Sequence, residues 1–283
     1  MRSALIRDAY VAACRTELRA LKPGNVHDYA AGHDMSVADF EASAVVSAPC
    51  FAAPGFGVGA RILNAVERTR AVAGCNTNLG ILLLAAPLAA AGCRATAPAG
   101  LRPALDATLA GLDRADAEAA FAAIRLASPG GLGDSARHDV REPARIGLRE
   151  AMAEARHRDR IAEQYAGGFI DIFDLGLPAL RRALARWGDE AWAAAAVYLT
   201  FLGRYPDSHV ARKFGPETAE ALRRRAAPFA ESLAAARQPA DLAPSLLAFD
   251  AALKAEGVNP GTSADLAVAT LFAHRLELGL ARA

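Results

Sequence analysis

No stretch of this chain alternates apolar and polar residues at period 2, and β-branched residues are few. Apolar residues recur instead at helical spacing nearly from end to end. That pattern argues against a sheet-based core and calls for helices packed on helices. Residues 3–21 place Leu5, Ile6, Ala9, Ala13 and Leu18 on such a spacing. Ser36, with Asp39 three residues on, predicts a capping box opening a helix over 37–48. The same reading predicts helices over 57–73, 77–91, 104–111, 115–127, 144–167, 178–187, 189–203, 216–236, 242–256 and 263–280. Residues 92–103 and the Gly-rich stretch 128–142 read as loops. Links are short and no repeat is evident, so residues 1–283 are expected to form one all-α domain with a polar cavity built from inter-helix loops.

A hydrophobic fraction of 53% supplies a sizeable core. A formal net charge of +1 gives no whole-chain attraction to nucleic acid or to a membrane surface. The longest apolar run, Leu79 to Ala91, is too short to span a bilayer and contains Pro87, so it is expected to be a buried core helix. Cys14, Cys50, Cys75 and Cys93 form no CxxC pair and no metal-ligand spacing. With no signal peptide, they read as reduced thiols of a cytoplasmic protein.

Function is written in the polar interruptions. Lys22-Pro23-Gly24-Asn25-Val26-His27 sets a cation, an amide and an imidazole around a turn that Pro and Gly specify. It reads either as an anion or nucleotide grip or as a helix end with a polar loop. Gly32-His33-Asp34-Met35 follows, where Asp34 suits a metal, a histidine partner or a helix N-terminus. Asn76-Thr77-Asn78 opens the apolar helix and offers amides for a base or ribose edge; one of the three is expected to cap that helix. Glu67, beside Arg68 and Arg70, reads as part of a solvated charged face. Gly130-Gly131-Leu132-Gly133 lacks a Walker ending and a preceding strand, which excludes a P-loop or a Rossmann turn. Asp134 and Asp139 beside it are oxygen donors of the kind Mg²⁺ takes, or members of a polar loop. Arg158-Asp159-Arg160 reads as an ion-pair site within a helix. Asp207 with Arg212 and Lys213 suits a polyphosphate clamp or an exposed charge cluster. Thr262 and Asp265 fit a helix N-cap and its N3 partner, at a helix start that also suits a phosphate.

In order and content these segments (KPGNVH, GHDM, AVERTR, NTNLG, DSHVARKFG and NPGTSADL) resemble the triphosphoribosyl-dephospho-CoA synthase family from Lys22 to Asp265. The resemblance implies an all-α enzyme that moves the triphosphoribosyl group of ATP to dephospho-CoA and releases adenine. It implies Mg²⁺ with the triphosphate. Asp34, Asp134 and Asp207 become candidates for base or metal ligand, and Glu67 and Asp139 join Asp34 and Asp134 as metal candidates. Lys22, Arg212 and Lys213 become phosphate contacts, and Asn25, His27, His33, Asn76, Asn78 and Ser263 line the nucleotide site. Asn78-Leu79 stands where the citrate-lyase branch has His-Lys, and that branch lacks the Arg212-Lys213 pair. In these departures the chain looks closer to the divergent archaeal and methylotroph branch. A related transferase or ligase of one-carbon cofactor synthesis, and a non-catalytic nucleotide-binding protein, are the alternatives. The expected partners are ATP and a dephospho-CoA-like or one-carbon precursor, with a homodimer allowed.

Overall fold

The computed structural model describes residues 2–29, 36–129 and 138–282, and among them it holds fourteen α-helices and no β-strand. The first six are α1 (Arg2–Arg19), α2 (Val37–Ala52), α3 (Val58–Ala73), α4 (Leu79–Arg94), α5 (Leu101–Ala110) and α6 (Arg114–Ala127). Two short ones follow, α7 (Leu148–Ala155) and α8 (Arg160–Gly167), then α9 (Leu177–Trp187), α10 (Glu190–Arg204) and α11 (Ser208–Phe214). The chain ends in α12 (Pro216–Ala235), α13 (Ala243–Ala255) and α14 (Gly261–Leu280). One hydrophobic core runs from Ile6 on α1 to Leu280 on α14.

Two helices set the frame. α4 and α14 are buried along most of their length and pack against each other, Gly92 of α4 lying on the Leu276 side chain. Helices that are apolar all round belong in a protein interior, and Pro87 is accommodated inside α4. α1 lies against α2, α10 and α14, while α3 packs on α2 and α6. No helix among the described residues is long and apolar enough to cross a membrane.

Local chemistry explains where helices begin. Ser36 and Asp39 form the expected capping box on α2, and Asp113 and Asp116 form another on α6. Three differences from the sequence reading matter for the site. The helix expected over 144–167 is two helices, because Asp159 stops the run by accepting from the N–H groups of Ile161 and Ala162 and so starts α8. α11 was not expected; Asp207 caps it in the same manner. The loop expected over 92–103 holds a 3₁₀ turn, Pro98–Gly100, and the start of α5. Between α8 and α9 a π-helical turn, Asp171–Gly176, adds a residue to the helical register and turns Asp171 inward.

Candidate active site

The N-terminal ends of α4, α8, α11 and α14 meet at a cavity of about 1110 Å³. Small-molecule sites commonly span about 300–1,000 Å³, so this one has room for a nucleotide and part of a second substrate. A helix N-terminus offers unpaired N–H groups and a positive dipole end. At three of the four ends most of those groups are already taken; Ser208 N on α11 and Thr262 N on α14 have no partner among the described residues. Asp159 closes α8, and Ser208 Oγ accepts from Arg160 N at 2.8 Å. Asp207 closes α11 with one oxygen, accepting from His209 N and Val210 N at 3.0 and 3.2 Å. Its other oxygen accepts from both Ser263 N and Ser263 Oγ at 2.8 Å, at the head of α14. α4 is different. Asn76 Oδ1 accepts from Leu79 N at 3.1 Å, which meets the expectation that one of the three polar residues caps this helix. The Gly80 and Ile81 N–H groups have no partner among the described residues.

Asp207, expected as a base, is therefore a buried double cap whose lone pairs are committed to two helices. Ser263, expected at the nucleotide, spends its hydroxyl on Asp207. Thr262 does not cap α14 as expected; its Oγ1 accepts from His209 N at 3.1 Å.

The Lys22–His27 turn is stapled to α13, to α10 and to the Asn259-Pro260 segment ahead of α14. Gly24 has φ +82, and a Cβ there would meet Pro260 Cδ at 2.9 Å, so glycine is required twice over. Gly24 N donates to Asp250 Oδ1 at 2.8 Å, and Tyr198 OH donates to Pro23 O at 2.6 Å. Lys22 is 0% exposed and bonds Glu17 and Asn25, so its ammonium is held inside the turn rather than presented to the cavity. Burial pulls Lys22 down and pushes Glu17 up, each countered by the other's charge. His27 is buried too, with Nε2 3.3 Å from Asp250 Oδ1; burial holds it below the usual imidazole value despite that carboxylate. Asn25 does line the cavity, and its Nδ2 donates to Asn259 Oδ1 at 2.8 Å.

Asp265 is the residue the sequence reading placed too modestly. It is not the N3 partner of a cap: α14 starts at Gly261, and the carboxyl turns toward the first turn of α4. A Cβ built on Gly80 would overlap Asp265 Oδ2, so only glycine admits the carboxyl there. Asp265 lines the cavity and makes no side-chain hydrogen bond among the described residues. Burial, then the nearby Asp207 and Glu17 carboxylates, raise it well above the usual carboxylate range, and Arg212 only partly offsets them. The signal in the sequence was Gly80 itself, a small residue at the start of a helix otherwise built of large apolar ones.

The cations gather around α8 and α11. Arg156, Arg158, Arg160, Arg212 and Lys213 all line the cavity. Arg160 is committed: both its Nε and Nη2 donate to Asp171 at 2.6 and 2.8 Å, and its guanidinium lies 3.6 Å from the Tyr205 ring centroid. Tyr205 OH donates to the same carboxylate at 2.9 Å, so the π-helical turn carrying Asp171 fixes this corner. Arg212 Nη1 donates to Asp159 at 2.6 Å while its buried Nε has no partner. Lys213 is exposed and makes no ion pair among the described residues.

His33, Asp34 and Asp134 lie outside the described residues. Glu67 is exposed on α3 and does not line the cavity, in keeping with the solvated-face reading. Asp139 lines the cavity with its carboxylate paired to Arg141 Nε at 2.8 Å. No group of three or more His, Cys, Asp or Glu among the described residues is arranged to hold a metal ion. Asn76 and Asn78 both line the cavity as expected of nucleotide contacts, and Asn78, only 6% exposed, has no side-chain partner among the described residues.

Known proteins resemble this chain in sequence and fold. A family model described as ATP:dephospho-CoA triphosphoribosyl transferase matches residues 3–282. A protein of Azotobacter vinelandii assigned as a probable 2-(5''-triphosphoribosyl)-3'-dephosphocoenzyme-A synthase is 34% identical over 145 residues, 50% of this chain and 44% of that protein. The match thus spans less than half of that relative's length. A crystal structure of an Archaeoglobus fulgidus protein assigned as a triphosphoribosyl-dephospho-CoA synthase superposes with a TM-score of 0.64 at 25% identity, over 84% of this chain and 98% of that one. With a family match from end to end and the same fold in that archaeal protein, this chain belongs to the ATP:dephospho-CoA triphosphoribosyl transferase family.

Proposed function

We propose that the protein transfers the triphosphoribosyl group of ATP to a ribose hydroxyl of dephospho-CoA and releases adenine. The observation that carries this reading is the division of charge within one large cavity. Cations gather at α8 and α11, while a neutral amide and an unpaired carboxyl sit at α4 and α14. A triphosphate suits the first region and a sugar–base junction the second. Arg212 and Lys213 hold the phosphates, Lys213 as a mobile point charge and Arg212 through the guanidinium edge that Asp159 leaves open. Arg160, locked by Asp171, shapes the wall instead of binding. At C1′ the bond to adenine breaks as the acceptor oxygen bonds, through an oxocarbenium-like state that a nearby carboxyl stabilises.

Mg²⁺ enters this reading as the counter-ion of the triphosphate. The described residues form no cage for it, and Asp34 and Asp134, two of the expected ligands, lie outside them. The family match favours dephospho-CoA over a one-carbon precursor as acceptor. The same reading places the protein in the cytoplasm, where ATP is supplied. The test is incubation with Mg-ATP and dephospho-CoA, following adenine by chromatography and the product by mass. Adenine and triphosphoribosylated dephospho-CoA in equal amounts support the reading. Nucleotide binding without adenine from any acceptor supports a binding protein instead.

A further inference from the structure

Among the described residues, the α4 end leaves two consecutive first-turn donors open where α11 and α14 leave one each (Ser208 N and Thr262 N), and it does so beside the Asp265 carboxyl. The Gly80 and Ile81 N–H groups and the Asn78 amide have no partner among the described residues. Asn78 is 6% exposed, and what it does expose faces the cavity. Asp265 lies against Gly80. An amide with both a donor and an acceptor, buried and unanswered, costs about 1–3 kcal/mol unless a ligand answers it.

Two ligand groups fit such a corner, a phosphate or a heterocyclic base, and charge decides between them. Asp265 faces Glu17 of α1, Lys22 of the turn after it, Asp159 ahead of α8, and Asp207 and Arg212 at α11. Three of those five are acids, and the two cations are bonded to Glu17 and Asp159. A triphosphate there would meet a net negative surround. A neutral base meets an amide able to bond donor and acceptor atoms on one edge, as Asn does with adenine. We propose that the corner formed by Asn78, Gly80 and Asp265 receives the adenine of ATP, with the Asp265 carboxyl as proton donor to the departing base.

The step balances. The C1′–N9 bond breaks and its electron pair stays with adenine, which takes the Asp265 proton on a ring nitrogen. The acceptor oxygen bonds to C1′ and its hydroxyl proton leaves to solvent, from which Asp265 is reprotonated. Burial and acidic neighbours raise this carboxyl well above the usual carboxylate range, so it keeps its proton to higher pH than an ordinary aspartate does. This assignment rests on the transfer reading, so its test has one arm that does not.

The first arm is calorimetry with Mg-ATP and with Mg-tripolyphosphate. Asn78→Ala is expected to weaken ATP by about tenfold and leave tripolyphosphate unchanged. Arg212→Ala is expected to weaken both. Equal effects of Asn78→Ala on the two ligands, or no effect on either, overturn the base corner. The second arm is the pH profile of adenine release. Asp265→Asn is expected to lower kcat about 10²–10⁴-fold and to remove the fall in rate at high pH. A variant that keeps the wild-type rate and its high-pH limb overturns the acid role. If the wild type releases no adenine, the transfer reading and the acid role fail together, while calorimetry still decides what the corner binds.

Discussion

Asp207 is where an acid looks catalytic in the sequence and structural in the fold, and the two roles separate cleanly under substitution. Its carboxylate accepts four hydrogen bonds, two at the head of α11 and two from Ser263 on α14. Losing one N-cap costs about 1 kcal/mol. Losing the charge-assisted bonds to Ser263 adds about 1.5–3 kcal/mol. Asp207→Ala should therefore cost about 2.5–4 kcal/mol, a large share of the about 5–15 kcal/mol that holds a domain together. Asp207→Asn keeps one acceptor but must aim an NH₂ group at a donor, so it should cost about half as much. Urea denaturation followed by far-UV circular dichroism reads both values, with adenine release measured on the same samples at a urea concentration where each variant is folded. The structural account predicts low urea midpoints and turnover in proportion to the folded fraction. Stabilities within about 0.5 kcal/mol of wild type, joined to a turnover loss of about 10²-fold or more, would refute it and restore Asp207 as a base.

Gly80→Ala places a methyl group where Asp265 Oδ2 now lies; turnover should fall sharply while far-UV circular dichroism stays that of the wild type. Lys22→Met strands Glu17 as a buried, unpaired acid and should cost about 3–5 kcal/mol in urea denaturation, with Glu17→Gln restoring part of it in the double variant. Asp265 supplies a pH test of stability. Its carboxyl is raised on folding, so the folded state binds the proton more tightly than the unfolded one. Stability must then fall as pH rises from the unfolded carboxylate pKa, about 3.9, toward the folded value. Asp265→Asn removes that dependence, so its melting temperature should match wild type in acid and exceed it increasingly as pH rises.

Most of the fold was legible because it follows from local rules. Ser36 and Asp39 announce α2, and the apolar run after Asn78 announces a buried α4. The split between α7 and α8 was hidden because Arg158-Asp159-Arg160 has helix-compatible charge spacing, and only the Asp159 cap reveals the break. α11 is a single short element held by Asp207 and by packing on α12 and α14, which periodicity cannot register. The site was legible as a set of loops and less so as a set of roles. Asn25, Asn76, Asn78, Arg212 and Lys213 do line one cavity. Lys22, His27, Asp207 and Ser263 belong to the same loops but turn inward, where they close the turns that build the cavity. An acid near the start of a helix looks alike whether it caps that helix or serves a site; what separates Asp265 from Asp207 is the packing of α14 against α4, a long-range fact.

The most direct test of the central claim is a time course of adenine release from Mg-ATP, with and without dephospho-CoA. The account predicts release that requires the acceptor, one adenine for each triphosphoribosyl group found on dephospho-CoA, and a rate lowered about 10²–10⁴-fold by Asp265→Asn. ATP that is bound but stays intact in the presence of dephospho-CoA would contradict it.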